Sequence, residues 1–120
     1  MQIKENGSNL SVGERQLLCI CRAILRKNKV VILDEATSNI DIVTEKKIQK
    51  LIHEHFKDST MLTIAHRLNT IINSDKILLL DHGKVLEYDT PANLLADPNS
   101  RFSNLISEIK KKEIIEESAI

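Results

Sequence analysis

Of the 120 residues, 42% are hydrophobic and 28% charged, with 17 basic side chains against 17 acidic ones. That length holds one domain at most, and zero net charge gives the surface no overall attraction to nucleic acid or to anionic membranes. With 2% aromatic residues and no Trp there is no stacking platform for single strands, and the longest apolar run is the five residues 17–21, against the ~18 or more that a membrane-spanning helix needs.

The opening MQIKENGSN lacks the apolar stretch of a secretory signal, so the residues themselves read as cytosolic. Residues 1–10 are polar and expected to be irregular. Ser11-Val12-Gly13-Glu14 then supplies a capping-box pattern ahead of a helix expected over residues 12–27. Its middle, residues 17–25, is apolar on nearly every side except at Arg22, the pattern of a helix buried between layers. Within it Cys19 and Cys21 are expected to be reduced and packed, on nearly opposite faces. Val30-Val31-Ile32-Leu33 reads as a fully buried strand ending in Asp34-Glu35.

Over residues 41–57 the apolar positions Ile48, Leu51, Ile52 and Phe56 follow helical spacing, with Glu45, Lys46, Lys47, Gln49 and Lys50 on the wet side. His53 and His55 are split by the same helix, and no second pair of close ligands completes a structural zinc site. A second strand is expected over residues 60–65, a short helix over 68–73 and a third strand over 77–80. The Asp81-His82-Gly83-Lys84 turn leads into a fourth strand over residues 85–88. Pro91 opens a short helix, and after Pro98 a last helix places Phe102, Leu105, Ile106 and Ile109 on one face. The alternation of strand and helix predicts an α/β domain with a mostly parallel sheet, a C-terminal β-hairpin and terminal helices.

Three constellations can carry chemistry. The cap at Ser11 with Gly13 just inside it leaves backbone donors at the positive end of a helix dipole, a geometry that binds anions; the plain alternative is an ordinary capped helix. Glu14 suits an anion site only if it folds back onto the cap backbone. Asp34 and Glu35 fall beyond the C-terminal end of a strand, where ligands gather in open parallel sheets. There an Asp can hold Mg²⁺ through a retained water and a Glu can deprotonate an attacking water, and the alternative is a pair of solvated acids. His66 ends the next strand, from which it can reach the same ligand; it can also be a simple helix-entry residue.

Taken together, LSVGERQ, VVILDEAT, SNID and TIAHRL resemble the signature motif, the Walker B strand with its catalytic Glu, the D-loop and the switch histidine of the nucleotide-binding domain of ATP-binding cassette (ABC) transporters, in the family's order. The resemblance covers residues 10–88, the C-terminal half of such a domain. It is nearest the second nucleotide-binding domain of multidrug-resistance-associated (C-subfamily) exporters. Val12, Glu14 and Asn39-Ile40 depart from the commonest residues without removing a catalytic group.

The resemblance implies a partial P-loop NTPase fold that uses ATP and Mg²⁺. Asp34 would hold Mg²⁺ through water, with Glu35 as general base and His66 on the γ-phosphate. Ser11, Val12, Gly13, Glu14, Gln16 and Asp41 would touch nucleotide, Ser11 and Gly13 that of a partner domain. No G-x-x-x-x-G-K-[ST] phosphate cradle occurs in the 120 residues, so they are expected to be a fragment contributing to two sites and completing neither. The implied partners are transmembrane domains and a second nucleotide-binding domain, with no nucleic acid, at the cytoplasmic face of a membrane. A truncated interaction fragment without catalysis, and a soluble ABC ATPase acting on DNA or ribosomes, are the competing readings. Residues 1–112 are expected to be domain and residues 113–120 a disordered tail whose Ser118-Ala119-Ile120 end fits a PDZ partner.

Overall fold

The computed structural model describes residues 2–34 and 40–119, in two compact units, Met1–Ile64 and Ala65–Ile120. In the first unit a 3₁₀ turn at Glu5–Gly7 precedes α1 (Val12–Arg26), β1 (Val30–Asp34), α2 (Ile42–His55) and β2 (Thr60–Ile64). α1 stops at Lys27, whose left-handed backbone (φ 51°) turns its N–H back to the Ile24 carbonyl. β1 and β2 pair in parallel, from Val30 opposite Thr60 to Asp34 opposite Ile64, with α2 as the crossover. Ile20 of α1, Ile48 of α2 and Phe56 form the core, and Val31 and Met61 pack onto it from the inner face of the pair.

The second unit holds α3 (Leu68–Ile72), β3 (Ile77–Asp81), β4 (Lys84–Asp89), α4 (Pro91–Ala96) and α5 (Arg101–Ser118). β3 and β4 are antiparallel, joined at His82 (φ 46°) and Gly83 (φ 73°), as a two-residue hairpin turn of the I′ kind requires. Its core is Ile71, Phe102 and Ile106. The Glu87 carboxylate accepts hydrogen bonds from the Arg101 and Phe102 amides at 2.8 and 3.0 Å, so β4 meets two of the unpaired donors at the start of α5.

The α/β class and the order of elements agree with the sequence reading, but several expectations do not. Instead of one mostly parallel sheet, the described strands form two pairs, one parallel and one antiparallel. β1 and β2 are joined by a helical crossover, as parallel pairing needs, whereas a two-residue link forces β3 and β4 antiparallel. β1 is not buried on both faces: Val30 and Ile32 are exposed, as are Leu62 and Ile64 beside them, because α1 and α2 cover only the opposite face. α1 likewise buries one side, leaving Leu18 and Leu25 in solvent, and Cys19 and Cys21 are free but exposed rather than packed. Residues 113–118 are helical, not a disordered tail, since α5 continues unbroken to Ser118. The end linked to a PDZ partner lies partly outside the described residues: Ser118 closes α5, Ala119 is its C-cap, and Ile120 is not described. Among the described residues no helix is long and apolar enough to cross a membrane.

Candidate functional site

The N-terminus of α1 carries the first constellation. Ser11 is extended (φ −66°, ψ 163°), its Oγ accepts from the Glu14 amide at 3.2 Å, and Glu14 Oε2 accepts from the Ser11 amide at 2.8 Å. This reciprocal capping box ties the Glu14 carboxylate to backbone, meeting the condition under which an acid there is compatible with an anion nearby. The Ser11 oxygen is an acceptor in this bond, so its own hydroxyl hydrogen is left to donate outward. Val12 and Gly13 sit in the first turn, where amides have no intrahelical acceptor.

Gly13 is buried, and the absence of its side chain has a reason the sequence did not reveal. A Cβ built there would lie 2.9 Å from the Thr44 methyl carbon of α2 and 3.7 Å from that of Ile40. Real Cβ atoms essentially never come that close, so Gly13 lets the beginnings of α1 and α2 touch. Gly13, expected from the sequence to sit inside a cap whose backbone donors can bind an anion, thus has a packing role as well.

Asp41 is the N-cap of α2: its Oδ2 accepts from the Thr44 amide at 2.9 Å. Hydrogen bonds from the Thr44 side chain and amide hold the exposed Asp41 carboxyl below its ordinary value. Asp41, which the resemblance links to nucleotide, therefore has a structural task, and an Asp just ahead of a helical run is the sequence signal that could have found it.

Asp34, the last residue of β1, is exposed at the C-terminal edge of the parallel pair. It shares with Gln16, Cys19, Ile48 and the buried Glu45 a cleft of about 180 Å³ between α1, α2 and the strand end. Gln16 is half-buried on that cleft, which Gln49 also lines. Among the described residues no group of three or more His, Cys, Asp or Glu forms a metal cage. An exposed carboxylate oxygen donor such as that of Asp34 suits Mg²⁺, which keeps waters and takes its remaining ligands from phosphate. Glu35, with Ser38 and Asn39 of the SNID stretch, lies outside the described residues. His66 is exposed and belongs to the second unit, two residues past the end of β2.

Residues 1–38 match the ABC transporter family. Bile pigment transporter 1 of Saccharomyces cerevisiae is 55% identical over 105 residues, which is 88% of this chain and 7% of that protein. ATP-binding cassette sub-family C member 4 of Homo sapiens is 54% identical over 112 residues, 93% of this chain and 8% of the relative. ABC transporter C family member 1 of Dictyostelium discoideum is 57% identical over 104 residues, 87% of this chain and 8% of its own length. The chain thus spans less than a tenth of each of these curated relatives.

Proposed function

Because the chain belongs to the ABC transporter family, we propose that it is the C-terminal part of an ATP-hydrolysing domain that drives export across a membrane, working at the cytoplasmic face. The observation that carries this reading is the placement of Asp34: the VVILD run is a strand, and its terminal carboxylate stands free at the C-terminal edge of a parallel pair. Asp34 would hold Mg²⁺ through a water, and Glu35 would accept a proton from the water that attacks the γ-phosphorus. His66 donates a hydrogen bond to a γ-phosphate oxygen. When bound, Mg²⁺ would supply positive charge against the negative charge developing on the phosphoryl oxygens.

Ser11 and the Gly13 amide serve a different nucleotide, one held chiefly by a partner domain. The Ser11 hydroxyl and the first-turn amides donate to its γ-phosphate, with the helix dipole adding to their attraction. Val12, Glu14, Gln16 and Asp41 border the nucleotides; Glu14 holds the Ser11 cap of α1 in place, and Asp41 caps α2. The phosphate cradle, the transmembrane domains and the second nucleotide-binding domain belong to the rest of the polypeptide.

Glu35→Gln in the complete polypeptide tests the reading. The amide keeps the side chain's shape but accepts no proton at neutral pH, so ATP should bind and turnover should fall by about 10² to 10⁴. Turnover near that of the parent protein would move the general base elsewhere and defeat the assignment.

A further inference from the structure

α5 is joined to the chain immediately after His66 by a hydrogen bond that spans 45 residues: the Leu68 amide donates to Glu113 Oε1 at 3.2 Å, in a part-buried setting. Leu68 is the first residue of α3, a helix of five residues, too short to hold itself in water. The residue before it, Arg67, is extended (φ −98°, ψ 136°) and makes no side-chain cap. The Leu68 N–H is therefore a donor with no partner inside α3, and the acceptor that meets it comes from α5 instead.

Packing acts at the same place. Ala65 and Leu68 both lie against the cluster of Ile71, Phe102 and Ile106, the last two of which are on α5 and 1% and 2% exposed. The residue just before His66 and the residue two beyond it are thus both fastened to this cluster, while His66 is exposed between them. Ser74 Oγ donates to the Thr70 carbonyl at 2.8 Å and closes the far end of α3. These contacts restrict the backbone on both sides of His66, and Glu113 adds a directional one that comes from α5.

We propose that Glu113 is a positioning residue for His66, acting through the Leu68 amide, so that α5 sets how well the imidazole meets the phosphate. The proposal rests on the reading of His66 as the γ-phosphate ligand. Displacements of about 1 Å at a group that must contact the reacting phosphoryl are enough to slow chemistry markedly. ATP itself is held mainly by groups elsewhere in the domain, so the loss should fall on kcat rather than on KM.

The experiment uses the full-length polypeptide and compares Glu113→Ala, Glu113→Gln and, as a control on an exposed position of α5, Glu116→Ala. Glu113→Ala should lower kcat about 3- to 10-fold with KM for ATP within about twofold of the parent. Glu113→Gln retains a carbonyl acceptor and should restore kcat to within about twofold, and Glu116→Ala should have no effect. In a His66→Ala background, Glu113→Ala should add almost nothing, because the group it positions is gone. Amide hydrogen exchange over residues 65–72 should be about fivefold or more faster in Glu113→Ala and parent-like in Glu113→Gln, a readout independent of turnover.

Unchanged kcat and exchange in Glu113→Ala would overturn the proposal. So would equal losses with and without His66, or a Gln variant as impaired as the Ala variant. If His66→Ala alone keeps full turnover, the reading of His66 fails and takes the positioning role with it. A slow His66→Ala with a parent-like Glu113→Ala overturns the positioning role alone.

Discussion

Replacing Gly13 by Ala separates packing from ligand binding at the start of α1. The added methyl would stand 2.9 Å from the Thr44 methyl carbon, where contact needs nearly another ångström. Overpacking of this size costs about 1 to 3 kcal/mol, while removing a helical Gly returns up to about 1 kcal/mol, leaving a net loss on the order of 1 kcal/mol. For a domain of the size proposed, that corresponds to a fall of roughly 2 to 4 °C in the thermal midpoint. The Gly13 amide survives in Ala, so a lost N–H donor cannot account for the change. Thr44→Ser is the companion variant, since it removes the offending methyl and keeps the amide that Asp41 accepts from, together with a hydroxyl. Thermal melts and ATP turnover of the two single variants and the double variant in the complete polypeptide form the assay. The double variant should recover most of the midpoint, a coupling of about 1 kcal/mol, and turnover should recover with it. A double variant no better than Gly13→Ala, or a Gly13→Ala protein as stable as the parent, would refute the packing argument. Recovery of stability without recovery of turnover would assign the glycine's importance to the approach of the nucleotide.

Other consequences can be measured on the same material. The Asp41 carboxyl, held below its ordinary 3.8 by Thr44, stabilises the fold fully above pH 3.8, and the contribution disappears as pH falls through the lowered value. Denaturant titrations of the parent and Asp41→Asn should therefore differ by a constant amount above about pH 5 and converge below pH 3.8, and parallel curves down to pH 2.5 would contradict this. Glu87→Ala removes the acceptor for two amides at the start of α5 and should cost about 1 to 2 kcal/mol by chemical denaturation, with Glu87→Gln recovering about half. No change in Glu87→Ala would mean that water replaces the carboxylate without loss.

Much of the local structure was legible in the residues because short-range rules govern it. Ser11-x-x-Glu14 announced the box that forms, Pro91 opened α4, and His82-Gly83 marked a turn that needs positive φ at both positions. The motif residues were placed by sequence too: Ser11 at a helix cap and Asp34 at a strand end are where the spacing puts them. Relations between elements distant along the chain were beyond such rules. That Gly13 is required by Thr44, that Glu87 serves the start of α5, and that Glu113 completes α3 depend on which surfaces meet. Burial followed the same division. An apolar run such as Val30-Val31-Ile32-Leu33 specifies a strand and a need for cover on both faces, but whether a second layer arrives is a property of the assembled chain; here Val30 and Ile32 remain exposed. Helix caps and turns are decided within four or five residues, by hydrogen bonds whose partners are close in the chain. Contacts between helices, and the reach of a side chain to an orphaned amide 45 residues away, are decided by packing, which only the tertiary structure contains.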